Sequence, residues 1–400
     1  MREAAGRDWH AMLGELQRGR PGVSEVMYIV ILPNYREDEQ MLLHTLENLG
    51  RSPVARQCMR VVLAMEDREG QAGRQKAERL IREASHLFAD VLASYHPANL
   101  PGELAGKSSN TQWAYKEVLR RYSKDIAGFD ASRVFLTVGD ADTLWHPQFF
   151  SALACQALGM SAQDRAWSIW QPPVLLLRNL FSVPGPTRVS GYATILFELA
   201  GLANQRLSSH LCYSAYTLTL ALASHPLVNG WDRDVIAEDH HMFCKCYFAA
   251  LWELAHLADN VSKTKGSGQA NPIAPRLRIE PIFLPAVSYL VDTDGYLQSC
   301  LARFQQARRH CQGVVELGYV LLQYTRLMRH TGVFKLPWRT HLHICSIAVK
   351  MHTLHITATA QSFALVLAAT ISILPAAVSW AASGGLLTFL QQGVGVASQI

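Results

Sequence analysis

The sequence predicts an α/β protein organised on a doubly wound sheet, and three observations carry the prediction. The continuous apolar run at 134–138 reads as a strand buried on both faces, a second such run at 26–33 reads as the first strand, and Arg60-Val-Val-Leu-Ala-Met65 as the next. Segments of helical period separate the early runs, which gives a β-α-β-α-β alternation. Acidic residues stand just beyond the carboxyl ends of two of these strands, where open α/β sheets carry their ligands.

The first strand, Val26-Met-Tyr-Ile-Val-Ile-Leu-Pro33, ends at Asn34-Tyr-Arg-Glu-Asp-Glu, and a helix follows over about 37–49 with Met41, Leu42, Thr45, Leu46 and Leu49 at helical spacing. The second strand ends on Glu66-Asp67. A charged helix over about 73–88 returns the chain to a short strand at 90–95. Next, Gly106-Lys107-Ser108-Ser109 opens a helix, but the upstream glycine spacing is wrong for a Walker loop. Lys107 therefore reads either as a phosphate partner at a helix N-terminus or as a solvent-exposed cap. The run 167–179 is an apolar strand or groove-lining segment, and helical stretches continue to Trp231. Residues 261–272 form a polar loop; Asn260-Val-Ser262 is a glycosylation sequon that a cytosolic domain leaves unused. Beyond it, the basic, amide-rich 304–313 opens an amphipathic helix at 314–328.

Two acidic centres carry the chemistry. The strand 134–138 stops at Gly139, and Asp140 and Asp142 follow at spacing i, i+2, which lets two hard oxygen ligands reach one divalent cation. The same pair also fits a solvated turn that caps a helix beginning near Pro147. The second centre, Glu238-Asp239, opens a helix carrying Met242, Phe243, Tyr247, Phe248 and Leu251; a carboxylate there is either a cap or a site residue held ionised by the helix N-terminus. His240 and His241 follow directly, as a metal or phosphate contact or as structural residues.

Composition narrows the class. The chain has 400 residues, 17% of them charged and 49% hydrophobic, with a net charge of +5. The basic residues are scattered rather than striped with aromatics, which argues against nucleic-acid binding. Eight cysteines lie far apart without repeated Cys-x-x-Cys spacing and read as reduced thiols facing the cytosol; Cys244-Lys-Cys246 lacks the second pair a metal clip needs. The first eight residues carry charges and no apolar core, so they do not read as a secretory signal. Residues 362–382 contain no charge and have membrane-spanning length. Arg326, Arg329, Lys335, Arg339 and Lys350 precede them, which places the N-terminal domain on the cytosolic side of a membrane; a buried helical hairpin is the alternative.

Four spaced elements together resemble the family-2 glycosyltransferases of the cellulose-synthase and chitin-synthase type: Glu66-Asp67, Asp140-Ala-Asp142, Ala237-Glu-Asp239 and Gln306-Ala-Arg-Arg-His310, with Gln171-Pro-Pro between the second and third. The resemblance covers about 25–315. It implies a GT-A fold, a Rossmann-like, doubly wound mixed sheet, followed by amphipathic and transmembrane helices. The divisions it suggests are an extension at 1–24, a catalytic domain at 25–312, interfacial helices at 313–360, and a membrane segment with tail at 361–400. It also implies inverting transfer from a nucleotide-diphosphate sugar, a UDP-sugar first among them, to a glycan or lipid acceptor at a membrane, with Mg²⁺ or Mn²⁺. By the same resemblance Asp239 is the general base, Asp140 and Asp142 hold nucleotide and metal, Glu66 or Asp67 binds the uridine end, and Gln306 with Arg309 lines the diphosphate or acceptor mouth.

Three departures separate this chain from that pattern: His310 stands where the family has tryptophan, Ala237 where it has threonine, and Glu66-Asp67 where it has an aspartate pair. They leave open a membrane-tethered nucleotide-sugar-binding protein without activity. A haloacid-dehalogenase-type phosphatase, with Asp140 as covalent nucleophile, expects its motif near the start of the domain and a later Gly-Asp-x-x-x-Asp, and both are missing.

Overall fold

A computed structural model describes residues 1–19, 26–203, 210–263, 276–332, 336–357, 371, 374–375 and 378–385. Among the described residues ten strands form two sheets: β1 Met27–Pro33, β2 Met59–Glu66, β3 Asp90–His96, β4 Val134–Val138, β5 Leu144–Trp145, β6 Ser168–Gln171, β7 Val174–Leu175, β8 Tyr216–Thr219, β9 Arg278–Pro281 and β10 Ala286–Val287. The principal helices are α1 Trp9–Arg18, α2 Glu39–Gly50, α3 Gly70–Ala84, α4 Lys107–Arg121, α5 Phe149–Leu158, α6 Gly185–Ala203, α7 Glu238–Lys263, α8 Tyr296–Cys311, α9 Val315–Thr331 and α10 Trp338–His352.

The main sheet has seven strands in the order β3-β2-β1-β4-β8-β6-β9. β1 pairs in parallel with β2 on one side and β4 on the other, so the winding reverses between β1 and β4. A crevice therefore opens at the carboxyl ends of those two strands, where Asn34 and Asp140 emerge. The alternation of β1 explains why it is apolar throughout. Tyr28, Val30 and Leu32 face one core with Leu42 and Leu46 of α2 and Phe150 of α5. Met27, Ile29 and Ile31 face a second core with Ala114 and Val118 of α4 and Phe243 of α7.

The mixed sheet comes from β8, which runs antiparallel to both β4 and β6. Its four residues lie inside the stretch the sequence reads as helical. Across the β4–β8 pair, the buried hydroxyls of Thr137 and Thr217 stand 2.8 Å apart and satisfy each other. A second, three-stranded sheet, β5-β10-β7, flanks the crevice.

Described elements outside 25–312 pack onto this body. The N-terminal α1 is capped by Asp8, whose carboxylate accepts from Ala11 N–H, and it buries Trp9 and Leu13 in the first core. Val320 of α9 and Ile344, Ile347 and Met351 of α10 join the second core. The basic patch 304–313 lies mostly within α8 and ends it, where the sequence places it at the start of a helix; α9 begins only at Val315. The expected membrane span at 362–382 and the polar loop at 261–272 fall largely outside the described residues, as do Lys335 and the side chains of the sequon. Among the described residues no helix is long and apolar enough to cross a membrane. All eight cysteines are free.

Candidate active site

An open cleft of about 1700 Å³ follows the crevice, and Glu66, Lys107, Asp140, Asp142, Asp239, Gln306 and Arg309 all line it. Asp67, the alternative acid at the end of β2, does not; its carboxylate pairs with Arg74 on the surface. Local packing explains how each group is held. Gly139 is required between strand and acids, because a Cβ there would lie 2.4 Å from the Trp145 ring. Thr45 of α2 donates to the carbonyl of Ala141 at 2.8 Å and fixes the Asp140-Ala-Asp142 turn. Asp142 accepts the Tyr289 N–H at 2.7 Å.

Ser214 joins the two acidic centres. Its hydroxyl donates to Asp140 at 2.6 Å and its N–H donates to Asp239 at 2.8 Å. The residue sits at φ 52°, a left-handed conformation that costs an L side chain of order 1 kcal/mol. Gln171 holds the segment in place: its amide donates to the carbonyls of Tyr213 and Ala215 and accepts the Tyr213 N–H. The Gln-Pro stretch thus acts through position 214.

Lys107 begins α4 and points into the acidic centre. Its ammonium lies 2.8 Å from Asp140 and 3.3 Å from Glu238, and it donates to the Ser214 carbonyl at 3.0 Å. Burial would lower its pKa, but the charges of Asp140, Glu238 and Asp239 outweigh that and raise it. Burial alone would raise Asp239, whereas His240, Lys107 and the N–H groups of Ser214 and His240 hold it below the usual carboxylate range. Asp239 is therefore an ionised carboxylate facing a cleft, at the first turn of α7.

Asp142 differs. Burial, and then the charge of Asp140, push its carboxyl up to about 6. A divalent cation placed between the two carboxylates would remove that penalty, and both offer the hard oxygen donors that Mg²⁺ and Mn²⁺ take. Among the described residues no group of three or more His, Cys, Asp or Glu side chains can hold a metal. A cation at Asp140 and Asp142 therefore needs oxygens from a ligand or from water.

At the end of the cleft near β1 and β2, groups without a sequence signal join Glu66. Asn34 follows β1, and the Arg68 guanidinium lies 3.8 Å over the Tyr35 ring. Glu66 is buried and shared between Arg68 at 3.3 Å and His96 at 3.3 Å. Sequence patterning also missed Ser214 and Arg303, since neither belongs to a spaced motif. His241 turns away from the cleft, bonded to Asp232 at 2.6 Å and to Glu316, whereas His240 and His310 line it.

No family model matches the chain, and no curated protein matches it. Among solved structures, the mannosyltransferase of Pyrobaculum calidifontis in complex with GDP-Man and Mn²⁺ is 16% identical, covers 94% of this chain and 87% of its own, and superposes with a TM-score of 0.46. Glucosyl-3-phosphoglycerate synthase of Mycobacterium tuberculosis in complex with UDP is 12% identical, covers 75% and 83%, and gives a TM-score of 0.35. Overlaps this loose assign no function.

Proposed function

We propose that the protein is an inverting glycosyltransferase that moves a sugar from a nucleotide diphosphate, UDP in the first place, to an acceptor hydroxyl. The observation that carries this is the meeting of two distant acidic motifs on Ser214, at the point where the sheet's winding reverses. In this reading the base and ribose lie along Asn34, the Tyr35–Arg68 pair and Glu66. Asp140 and Asp142 hold Mg²⁺ or Mn²⁺, which when bound neutralises the leaving diphosphate. Lys107 adds a fixed positive charge on the same side, and Gln306 with Arg309 lines the mouth. Asp239 takes the proton of the acceptor hydroxyl as its oxygen attacks the anomeric carbon, and the sugar–phosphate bond breaks on the opposite face. A depressed pKa suits a base that must stay ionised while half-buried beside other acids.

The test is turnover and binding with a panel of UDP- and GDP-sugars in Mg²⁺ and Mn²⁺, on the parent and on Asp239→Asn. The expected result is metal-dependent nucleotide release that falls by roughly 10²–10⁴-fold in the variant while donor binding persists. Binding without turnover for every donor and acceptor tried would establish a binding protein instead. No nucleotide binding would sink the reading.

A membrane-surface location extends the same proposal. The outer face of α10 carries Trp338, Leu342 and Val349 at 67%, 57% and 64% exposure, a spacing of four and seven that makes one apolar stripe beside Arg339. Cosedimentation with anionic vesicles, lost when Trp338 and Leu342 are both changed to serine, tests it; equal sedimentation of parent and variant would refute it.

A further inference from the structure

At the acidic end of the cleft, each carboxylate named above meets a cation or a donor. The wall formed by α6 and α8 is different. Arg303 of α8 lines the cleft, and its guanidinium donates to the Ser190 hydroxyl at 3.1 and 2.6 Å and to the Gln306 side-chain oxygen. Both partners are neutral, and among the described residues no carboxylate pairs with it. A partly buried guanidinium without a counter-charge is costly, and an anion relieves it.

His240 supplies the second, independent observation. It is the residue after Asp239, is 5% exposed and lines the same cleft, yet neither ring nitrogen has a hydrogen-bond partner among the described residues. The Asp239 carboxylate stands 3.9 Å from its Nδ1, beyond hydrogen-bond range. Buried polar atoms are normally paired by protein, ordered water or a ligand, and this ring lines a cleft from which a ligand can pair it. His310 and Arg309 line this part of the cleft as well, and Val189, Ala193 and Phe197 present an apolar strip of α6 to it.

The order of groups says which ligand this is. The nucleotide end is built from the ends of β1 and β2, Asp140 follows from β4, Ser214 links Asp140 to Asp239, and His240 comes next. We infer that the α6–α8 wall binds an oxyanion carried by the acceptor, a phosphate or carboxylate seated against Arg303 and His240. The inference rests on the transferase reading, because that reading fixes which end is the donor's. It narrows the acceptor to an anionic molecule with an apolar portion. A soluble phosphomonoester and a lipid phosphate share this chemistry.

The test uses the full chain saturated with UDP and Mg²⁺, so that the donor's diphosphate site is filled. UDP affinity is measured first, and its absence overturns the transferase reading on its own. Inorganic phosphate, acetate, glycerol 1-phosphate and dodecyl phosphate are then titrated calorimetrically. Expected is binding of at least one anion to the UDP-bound protein, weakened tenfold or more in Arg303→Gln and in His240→Gln. It returns in part in Arg303→Lys, while UDP affinity and melting temperature stay with the parent. Preference for dodecyl phosphate over glycerol 1-phosphate identifies a lipid source, and the reverse a soluble one. Failure of all four to bind the UDP complex overturns the inference. So does a loss of UDP affinity in Arg303→Gln equal to the loss of phosphate affinity, which would assign the arginine to the donor's diphosphate.

Discussion

His240 and His241 are adjacent and equally buried, at 5% and 4% exposure, but their surroundings are opposite. Successive side chains on a helix diverge by about 100°, so the first turn of α7 sends one ring toward the cleft and the other toward α9. His241 bridges Asp232 and Glu316; burial would lower its pKa, but the two carboxylates raise it to about 9. His240 bridges nothing among the described residues. Residue type and burial therefore do not distinguish these two histidines, whereas their partners do. The same contrast divides the cleft: Lys107 closes the acidic end internally, and Arg303 leaves the opposite wall open.

The largest effect is expected where the internal closure is removed. Lys107→Met leaves the buried Glu238 without its cation and removes a partner from the Asp140 carboxylate, which is 42% exposed and screened by water, so the loss of stability at pH 7 is about 3 kcal/mol, the low end for a broken buried pair. Denaturant unfolding across pH should show that loss shrinking in acid, as the carboxyls take up protons. An unchanged stability would mean that the acidic end is not held by Lys107. His241→Gln comes next. A histidine whose folded pKa is raised from 6.5 to about 9 contributes stability that is complete below pH 6.5 and is lost as the pH rises through 9. The contribution is roughly 3 kcal/mol. The melting difference between variant and parent should thus be greatest near pH 6 and close toward pH 10.

Much of this organisation is legible in the sequence because it depends on local pattern. Strand β4 is bounded at Val134 and Val138 by its own apolar run, and the periodicity behind Glu238-Asp239 puts that pair at a helix start. Strand β8 was not legible: four residues, Tyr216-Thr-Leu-Thr, precede Leu-Ala-Leu-Ala, and only pairing with β4 and β6 makes them a strand. The acidic motifs announce themselves by spacing. Ser214 does not, since its role follows from a left-handed backbone held by Gln171 across the sheet. Arg303 lies three residues before Gln306, inside a helix whose other arginines are exposed, and nothing in the chain order marks it as the one that reaches Ser190.

Ser214→Ala sharpens the acidic half of the comparison with a smaller effect. The N–H to Asp239 survives and the hydroxyl to Asp140 is lost, so one hydrogen bond to a charged group goes, about 1.5 kcal/mol. The expected readout is roughly a tenfold fall in kcat/KM for the donor with Asp239 still ionised, hence an unshifted acid limb of the pH profile. A shifted limb would mean that the hydroxyl tunes the base rather than positioning Asp140.

The smallest expected change in stability belongs to His240→Gln. Its ring gives up no hydrogen bond among the described residues, but it loses the edge-on contact with His355 at 5.1 Å and the nearby Asp239 carboxylate at 3.9 Å, so unfolding at pH 7 should move by about 1 kcal/mol or less. Phosphate affinity of the UDP complex is nevertheless expected to fall. That separation is what distinguishes a side chain kept open for a ligand from one that merely fills space. If His240→Gln destabilises the protein as much as His241→Gln and with the same pH dependence, the two rings are equivalent structural elements. The open wall of the cleft then loses its second support.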